Sequence, residues 1–249
     1  MITPAMEAIG LTRRFGGLVA VKDVNIALQV GELHAVIGPN GAGKSTLTNL
    51  LSGELRPSAG RILLHGAEVG DWPSWRFARA GVGRSFQRTN VLKPMSVREN
   101  VRLAAQARIT PLRRYLQVVT GEHAPTEAAE AALYRVGLNA LADRSAGILS
   151  HGQLRQLEIA MALAAGPTVL LLDEPLAGMG PEESERLAGL LKELAADHAV
   201  MLIEHDMDVV FAVADRVTVM VDGQVLEQGT PASIRGSAAV RDAYLGHAA

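Results

Sequence analysis

Leu33-His34-Ala35-Val36-Ile37-Gly38-Pro39-Asn40-Gly41-Ala42-Gly43-Lys44-Ser45-Thr46-Leu47-Thr48-Asn49-Leu50-Leu51 is the stretch on which the fold turns. Residues 38–45 satisfy G-x-x-x-x-G-K-[ST] at every fixed position. The residues before Gly38 are mostly apolar and read as a buried strand, and those from Lys44 to Leu51 read as a helix. Glycines let successive backbone N–H groups turn inward and cradle phosphate oxygens. The helix N-terminus adds a favourable dipole for an anion. In such a loop Lys44 reaches the outer phosphates of a nucleotide and Ser45 can ligate Mg²⁺. By chance the pattern would occur in roughly one chain of this length in a hundred, so the strand and helix flanking it carry the argument.

Working outward, strands and helices alternate, which predicts an α/β domain with a largely parallel sheet. Residues 6–30 read as strands turning at Gly16-Gly17, and 61–65 as another strand. Residues 73–80 read as a short helix and 82–86 as a strand leading into Gln87. Ser96-Val97-Arg98-Glu99 has the form of a capping box. Residues 110–125 are the least regular, and Thr126 to Val136 is Ala- and Glu-rich and helical. A strand at 168–172, a helix from Pro181 to Ala195, a strand at 199–203 and a helix from Met207 to Ala214 follow. Two strands near 216–228 and one short helix finish the chain.

Composition sets bounds. The chain has 249 residues, enough for one large domain or two small ones. Its 48% hydrophobic and 20% charged residues are a normal globular balance. A net charge of −2 gives no electrostatic footprint for nucleic acid, and none is expected as a partner. Without cysteine, disulfides and thiolate metal sites are excluded. No apolar run approaches the ~18 residues that span a bilayer, and no secretory signal is visible at the N-terminus. A cytoplasmic protein is expected, with any membrane association supplied by a partner.

Two later segments narrow the reading. Leu149-Ser150-His151-Gly152-Gln153 precedes, by about twenty residues, the apolar run Val169-Leu170-Leu171-Leu172 that ends in Asp173-Glu174. Together with the phosphate loop, this resembles the signature motif and Walker B strand of ABC-type ATPases. The resemblance implies ATP hydrolysis on a P-loop NTPase core with an antiparallel β subdomain and an inserted helical subdomain. The ATPase domain is expected over 6–237, its helical subdomain over about 88–160, and a short C-terminal helix and tail over 238–249.

The same resemblance assigns roles. Gly38, Pro39, Asn40, Gly41, Ala42, Gly43, Lys44, Ser45 and Thr46 would bind ATP, with Phe15 stacking on adenine. Ser45, Gln87 and Asp173 would hold Mg²⁺. Asp173 ends the apolar run and is expected to emerge from the core beside the phosphate loop. Glu174 would act as general base: one carboxylate neutralises the metal while its neighbour stays free for proton transfer. Gln87 matches the family's Q-loop, where an amide can ligate metal or orient water without adding charge. His205, in Ile203-Glu204-His205-Asp206, holds the position of the switch histidine that contacts the γ-phosphate. Ser150, His151, Gly152 and Gln153 would complete the ATP site of another subunit, which implies a head-to-tail dimer.

The resemblance is closer still to ATPases of bacterial branched-chain amino-acid (LIV-type) importers. It is carried by Phe15-Gly16-Gly17-Leu18-Val19-Ala20-Val21, Asp173-Glu174-Pro175-Leu176-Ala177-Gly178-Met179, Ile203-Glu204-His205-Asp206-Met207 and Ala243-Tyr244-Leu245-Gly246. His151 and the continuation Leu157-Glu158-Ile159-Ala160 suggest the class that pairs with a second, different ATPase, though a homodimer stays open. The implied partners are that ATPase, membrane permeases and, indirectly, a periplasmic solute-binding protein, with the chain lying peripherally on the inner face of the membrane. Urea-type importer ATPases share Leu-Ser-His-Gly-Gln, so the substrate stays open. A non-transport ABC protein is a rival, but those usually carry tandem ATPase domains or coiled-coil insertions. A nucleotide-switch protein is another, opposed by Ser-x-Gly-Gln and Glu174. Gly180 stands where many ABC ATPases have Asp and offers only backbone contacts.

Overall fold

A computed structural model describes residues 3–85, 90–109 and 123–245. Gln87 and Phe86, the end of the strand expected over 82–86, lie outside the described residues, as do most of 110–125 and the tail from Gly246.

Two sheets form the framework. In the first, β1 (Met6–Phe15) and β2 (Leu18–Leu28) make a hairpin, with Phe15 opposite Leu18. Its two-residue turn uses Gly16 at φ 58°, the left-handed conformation that matches strand twist. The other strands are β3 (Glu32–Ile37), β4 (Ala59–Leu64), β5 (Ala67–Glu68), β6 (Val82–Arg84), β7 (Val169–Asp173), β8 (Ala199–Ile203), β9 (Arg216–Val221) and β10 (Gln224–Gly229). The first sheet has the order β2-β1-β4-β5 and is antiparallel. The second has the order β10-β9-β3-β8-β7-β6, parallel except for β10.

The helices are α1 (Lys44–Leu51), α2 (Ser74–Arg79), α3 (Val97–Ile109), α4 (His123–Arg135), α5 (His151–Ala164), α6 (Pro181–Ala195), α7 (Met207–Val213), α8 (Pro231–Gly236) and α9 (Ala238–Leu245). Every residue of β7 and β8 is buried, which is why both read as unbroken apolar runs. Alternation along β7 sends Val169 and Leu171 into the core shared with the first sheet, beside Met6, Leu11 and Leu47. Leu170 and Leu172 face the opposite way, into the core built with α3, α4, α5 and α6 through Val101, Leu133, Leu157 and Leu191. A smaller core joins Ala35, Ile37, Val217 and Val219 to Val210, Ile234 and Val240.

Two local readings are corrected. Ser96 Oγ accepts from Glu99 N at 3.1 Å, but the Glu99 carboxylate turns to Arg102 Nη2 at 2.8 Å, so only half of the expected box forms. The C-terminal region holds two helices where one was expected. Thr230 caps α8 by accepting from Ser233 N at 3.2 Å, with Pro231 in the first turn. Ser237 is extended at ψ 124° and separates α8 from α9.

Candidate active site

The parallel strands end along one edge of the second sheet, and register brings the predicted residues there. Ile203 at the end of β8 pairs with both Val36 of β3 and Asp173 of β7. The loop after β3, the carboxylates after β7 and His205 after β8 therefore leave the sheet as neighbours, where open α/β sheets place their sites.

A cleft of about 550 Å³ lies there, lined by Phe15, Asn40, Gly41, Ala42, Gly43, Lys44, Ser45, Thr46 and Glu174. Gly43 has φ 96°, and a Cβ there would come within 2.4 Å of the Ala20 carbonyl oxygen. The loop therefore needs glycine both for its conformation and for the approach of β2. Lys44 Nζ donates to the carbonyls of Gly38 at 2.6 Å and Pro39 at 3.0 Å, inside the loop it belongs to. Burial pulls its pKa down, and the Glu174 and Asp173 carboxylates push it back up.

Asp173 does not emerge as expected. The strand reaches the edge, but the side chain is only 3% exposed. Burial, then the adjacent Glu174, raise its pKa, against Arg84, Lys44 and Arg155. Its Oδ1 is buried without a hydrogen-bond partner. An orphaned carboxylate oxygen beside the phosphate loop fits Mg²⁺, which typically takes one or two carboxylates plus phosphate oxygens. Among the described residues no group of three or more His, Cys, Asp or Glu gathers for a metal.

Glu174 adopts φ 48°, uncommon for a residue with a Cβ. Two backbone bonds hold it: Glu174 N donates to Ile203 O at 2.9 Å, and Glu174 O accepts from Ala177 N at 3.2 Å. The turn carries its side chain to the cleft while Asp173 stays inside. His205 is exposed, with Nδ1 at 3.8 Å from Glu204 Oε2. It does not line the cleft. Phe15 does, at its rim, 43% exposed, with the Arg13 guanidinium 4.6 Å from its ring centre.

The signature residues are not brought to this cleft. Ser150 caps α5: its Oγ accepts from Gln153 N at 3.2 Å, and Gln153 Oε1 accepts from Ser150 N at 3.0 Å. Gly152 and Gln153 line a separate cleft of about 180 Å³. Gly152 is buried where any Cβ would meet the Glu183 carboxylate at 2.9 Å.

The 249-residue chain matches the ABC transporter family model over residues 21–177, more than half its length. The chain belongs to the ABC transporter ATP-binding family. As such it is an ATPase subunit. Residues 224–249 match a second model, the branched-chain amino acid ATP-binding cassette transporter. Over its full length and theirs, the chain is 41% identical to the high-affinity branched-chain amino acid transport ATP-binding protein BraF of Pseudomonas aeruginosa and 40% identical to LivG of Escherichia coli. Among solved structures it resembles a nucleotide-free ABC transporter cassette, with TM-score 0.86 and 30% identity, covering 97% of this chain and 98% of that one. It also resembles a dimeric cassette in a post-hydrolysis state bound to ADP and Pi, with TM-score 0.75 and 25% identity, covering 91% and 98%.

Against this family background, some site residues escaped the sequence reading. Asp222 and Gly223 line the cleft from the β9–β10 turn. Asp-Gly signals such a turn, but nothing local says that it reaches Ala20. Ser85 Oγ accepts from Asp173 N at 3.2 Å, and Glu204 Oε1 from Leu176 N at 2.9 Å. Neither residue carries a local signal.

Proposed function

We propose that the chain is the ATP-hydrolysing subunit of an importer for branched-chain or related hydrophobic amino acids, with residues 6–237 as the ATPase domain, about 88–160 as its helical subdomain and 238–249 as a C-terminal tail. The observation that carries this reading is one cleft joining the glycine cradle, Lys44 and Glu174, with the orphaned Asp173 oxygen beside it. The backbone donors of residues 38–46 bind the phosphates, and Phe15 takes the adenine. Lys44 exchanges its two loop carbonyls for phosphate oxygens. Asp173, Ser45 and Gln87 would hold Mg²⁺, which supplies charge neutralisation on the phosphates. Glu174 takes the proton of the attacking water, and His205 approaches the γ-phosphate from the end of β8.

Ser150, His151, Gly152 and Gln153 act on the nucleotide of a second ATPase subunit. Their placement away from this chain's own cleft supports that reading, as does the dimeric relative. The Ser150 hydroxyl accepts within its cap but keeps its own proton to donate, and the positive end of the helix dipole suits an incoming phosphate. A different chain as partner is favoured by His151. Permeases dock on the segment after Gln87, through Val91, Leu92, Pro94 and Met95, whereas Val97 is buried in the core; a mostly apolar cleft of about 360 Å³ between α2, α3 and α5, lined by Trp75, Phe77, Ala104 and Met161, reaches that segment at Asn90. Among the described residues no helix is long and apolar enough to cross a membrane, so we place the chain peripherally on the inner face of the membrane through these permeases. A periplasmic binding protein would deliver the solute.

The test is reconstitution with the permeases and periplasmic binding protein of a branched-chain amino-acid importer. ATP-dependent uptake of leucine, isoleucine or valine is expected. Uptake of urea or short amides instead would move the chain to the alternative importer class, and no MgATP hydrolysis in any assembly would refute the reading.

A further inference from the structure

Phe15 ends β1 with its ring exposed at the rim of the nucleotide cleft. A ligand that stacks on an exposed side chain must bear the cost of ordering it, unless the side chain is ordered beforehand. One neighbour does this. Arg13 stands two residues earlier on β1, so the two side chains share a face of the strand. Its guanidinium lies over the Phe15 ring, 4.6 Å from the centre. Phe15 lines the cleft and Arg13 does not. The guanidinium therefore covers the ring from outside the cleft and leaves the opposite face open toward it.

Arg13 is itself held. Its Nη1 donates to the carbonyl of Arg56 at 2.8 Å, in the connection between α1 and β4. The same connection grips the backbone on either side of Arg13. Ser58 N donates to Thr12 O at 2.8 Å, and Ser58 Oγ accepts from Arg14 N at 3.1 Å. Because α1 begins at Lys44, the ring and the phosphate cradle are both fixed to one stretch of chain. Arg13 Nε is buried without a hydrogen-bond partner. What places the guanidinium is the Arg56 carbonyl and the face of the ring.

We propose that Arg13 is a positioning residue for the nucleobase: by covering one face of Phe15 it fixes the ring so that the purine of ATP stacks on the other. The inference rests on the ATPase reading above, with Phe15 taking the adenine. Arg13 does not line the nucleotide cleft, so its effect passes through the ring and is confined to ligands that carry a base.

The test titrates the full chain with ATP and with inorganic tripolyphosphate, which offers the phosphates without a base. Arg13→Met keeps a long side chain and removes the cation. It should weaken ATP about two- to fivefold, the order of a cation–π contact at an exposed site, and leave tripolyphosphate unchanged. Phe15→Leu should weaken ATP at least about fivefold, as the loss of a base–aromatic stack does. Adding Arg13→Met to Phe15→Leu should weaken it no further, because the two residues act as a unit. In steady-state hydrolysis the Arg13→Met loss should fall on KM with kcat unchanged, the pattern of binding shared by ground and transition states. Full ATP affinity in Arg13→Met beside weakened affinity in Phe15→Leu would overturn the inference alone. So would an equal loss of tripolyphosphate, or an undiminished effect of Arg13→Met in the Phe15→Leu background. If Arg13→Met does not fold, Arg13→Gln, which offers the Arg56 carbonyl an amide donor without the cation, makes the same comparison. Unchanged ATP affinity in Phe15→Leu would remove the adenine platform and the inference with it, and absence of ATP binding by the wild type would refute the ATPase reading.

Discussion

At the scale of the residue, chemistry and backbone strain meet at Glu174. A non-glycine residue at positive φ costs of order 1–3 kcal/mol and persists where the surroundings enforce it, here through Ile203 and Ala177. Glu174→Gln should keep the backbone and ATP binding while lowering turnover about 10²–10⁴-fold, the usual worth of a general base. Steady-state hydrolysis beside nucleotide titration checks this, and near-normal turnover would remove Glu174 from the role. Glu174→Gly should be equally inactive yet melt no lower than wild type, since glycine accepts φ 48° without strain; a clear fall in its melting temperature would show that the side chain stabilises the fold. The phosphate loop was legible in the sequence because its glycines have a fixed spacing set by backbone geometry. Ser85 and Glu204 were not. A serine after a strand and a glutamate before a histidine are ordinary locally, and their roles arise only when register brings Asp173 and Leu176 to them.

At the scale of the element, legibility followed burial. β7, β8 and α6 could be read because unbroken apolar runs or a regular apolar stripe bounded by Pro181 leave few alternatives. α8 was missed because six residues hold too little periodicity, and its Thr-Pro start signals only a terminus. The half-formed box at Glu99 shows a further limit: the motif names a partner, but Arg102, one turn on, competes for it. At α5 the cap and the proposed phosphate contact share one hydroxyl. Ser150→Ala should therefore cost about 1 kcal/mol of stability, as N-cap losses usually do, besides impairing turnover. Urea unfolding of the isolated chain measures the first effect apart from the second. His151→Gly should be milder for turnover because its backbone donor survives, and a loss as large as that of Ser150→Ala would assign the imidazole a direct role.

At the scale of the whole molecule, stability and assembly follow from groups far apart in sequence. His34 is buried between β8 and β9, with Nε2 at 2.7 Å from Thr218 Oγ1. Burial, then the Arg216 charge, push its pKa down to about 4. Between the ordinary value near 6.5 and 4 the unfolded chain binds the proton and the folded chain does not, so stability is full above that window and falls as pH drops through it. From pH 7.5 to 5 the loss is about 2 kcal/mol. Asp173 and Glu204, raised by burial, act in the opposite sense, gaining stability as pH falls. Comparing urea midpoints of wild type and His34→Gln isolates the histidine, and parallel pH profiles would refute its buried neutral state. Assembly is tested by mixing. If Ser150 of one subunit meets the phosphates held by Lys44 of another, Lys44→Ala and Ser150→Ala each disable both sites of a homodimer. In the mixed pair one site combines both lesions, and the other joins an intact loop to an intact signature segment. Partial activity on mixing is then the mark of a homodimer. For the heterodimer proposed here, mixing should restore nothing, and a second, different ATPase should stimulate the wild-type chain. With that partner present, Ser150→Ala should slow the partner's site and leave nucleotide binding at Lys44 intact. Recovery on mixing without any partner would sink the heterodimer while leaving the contact between Ser150 and a second subunit's phosphates in place.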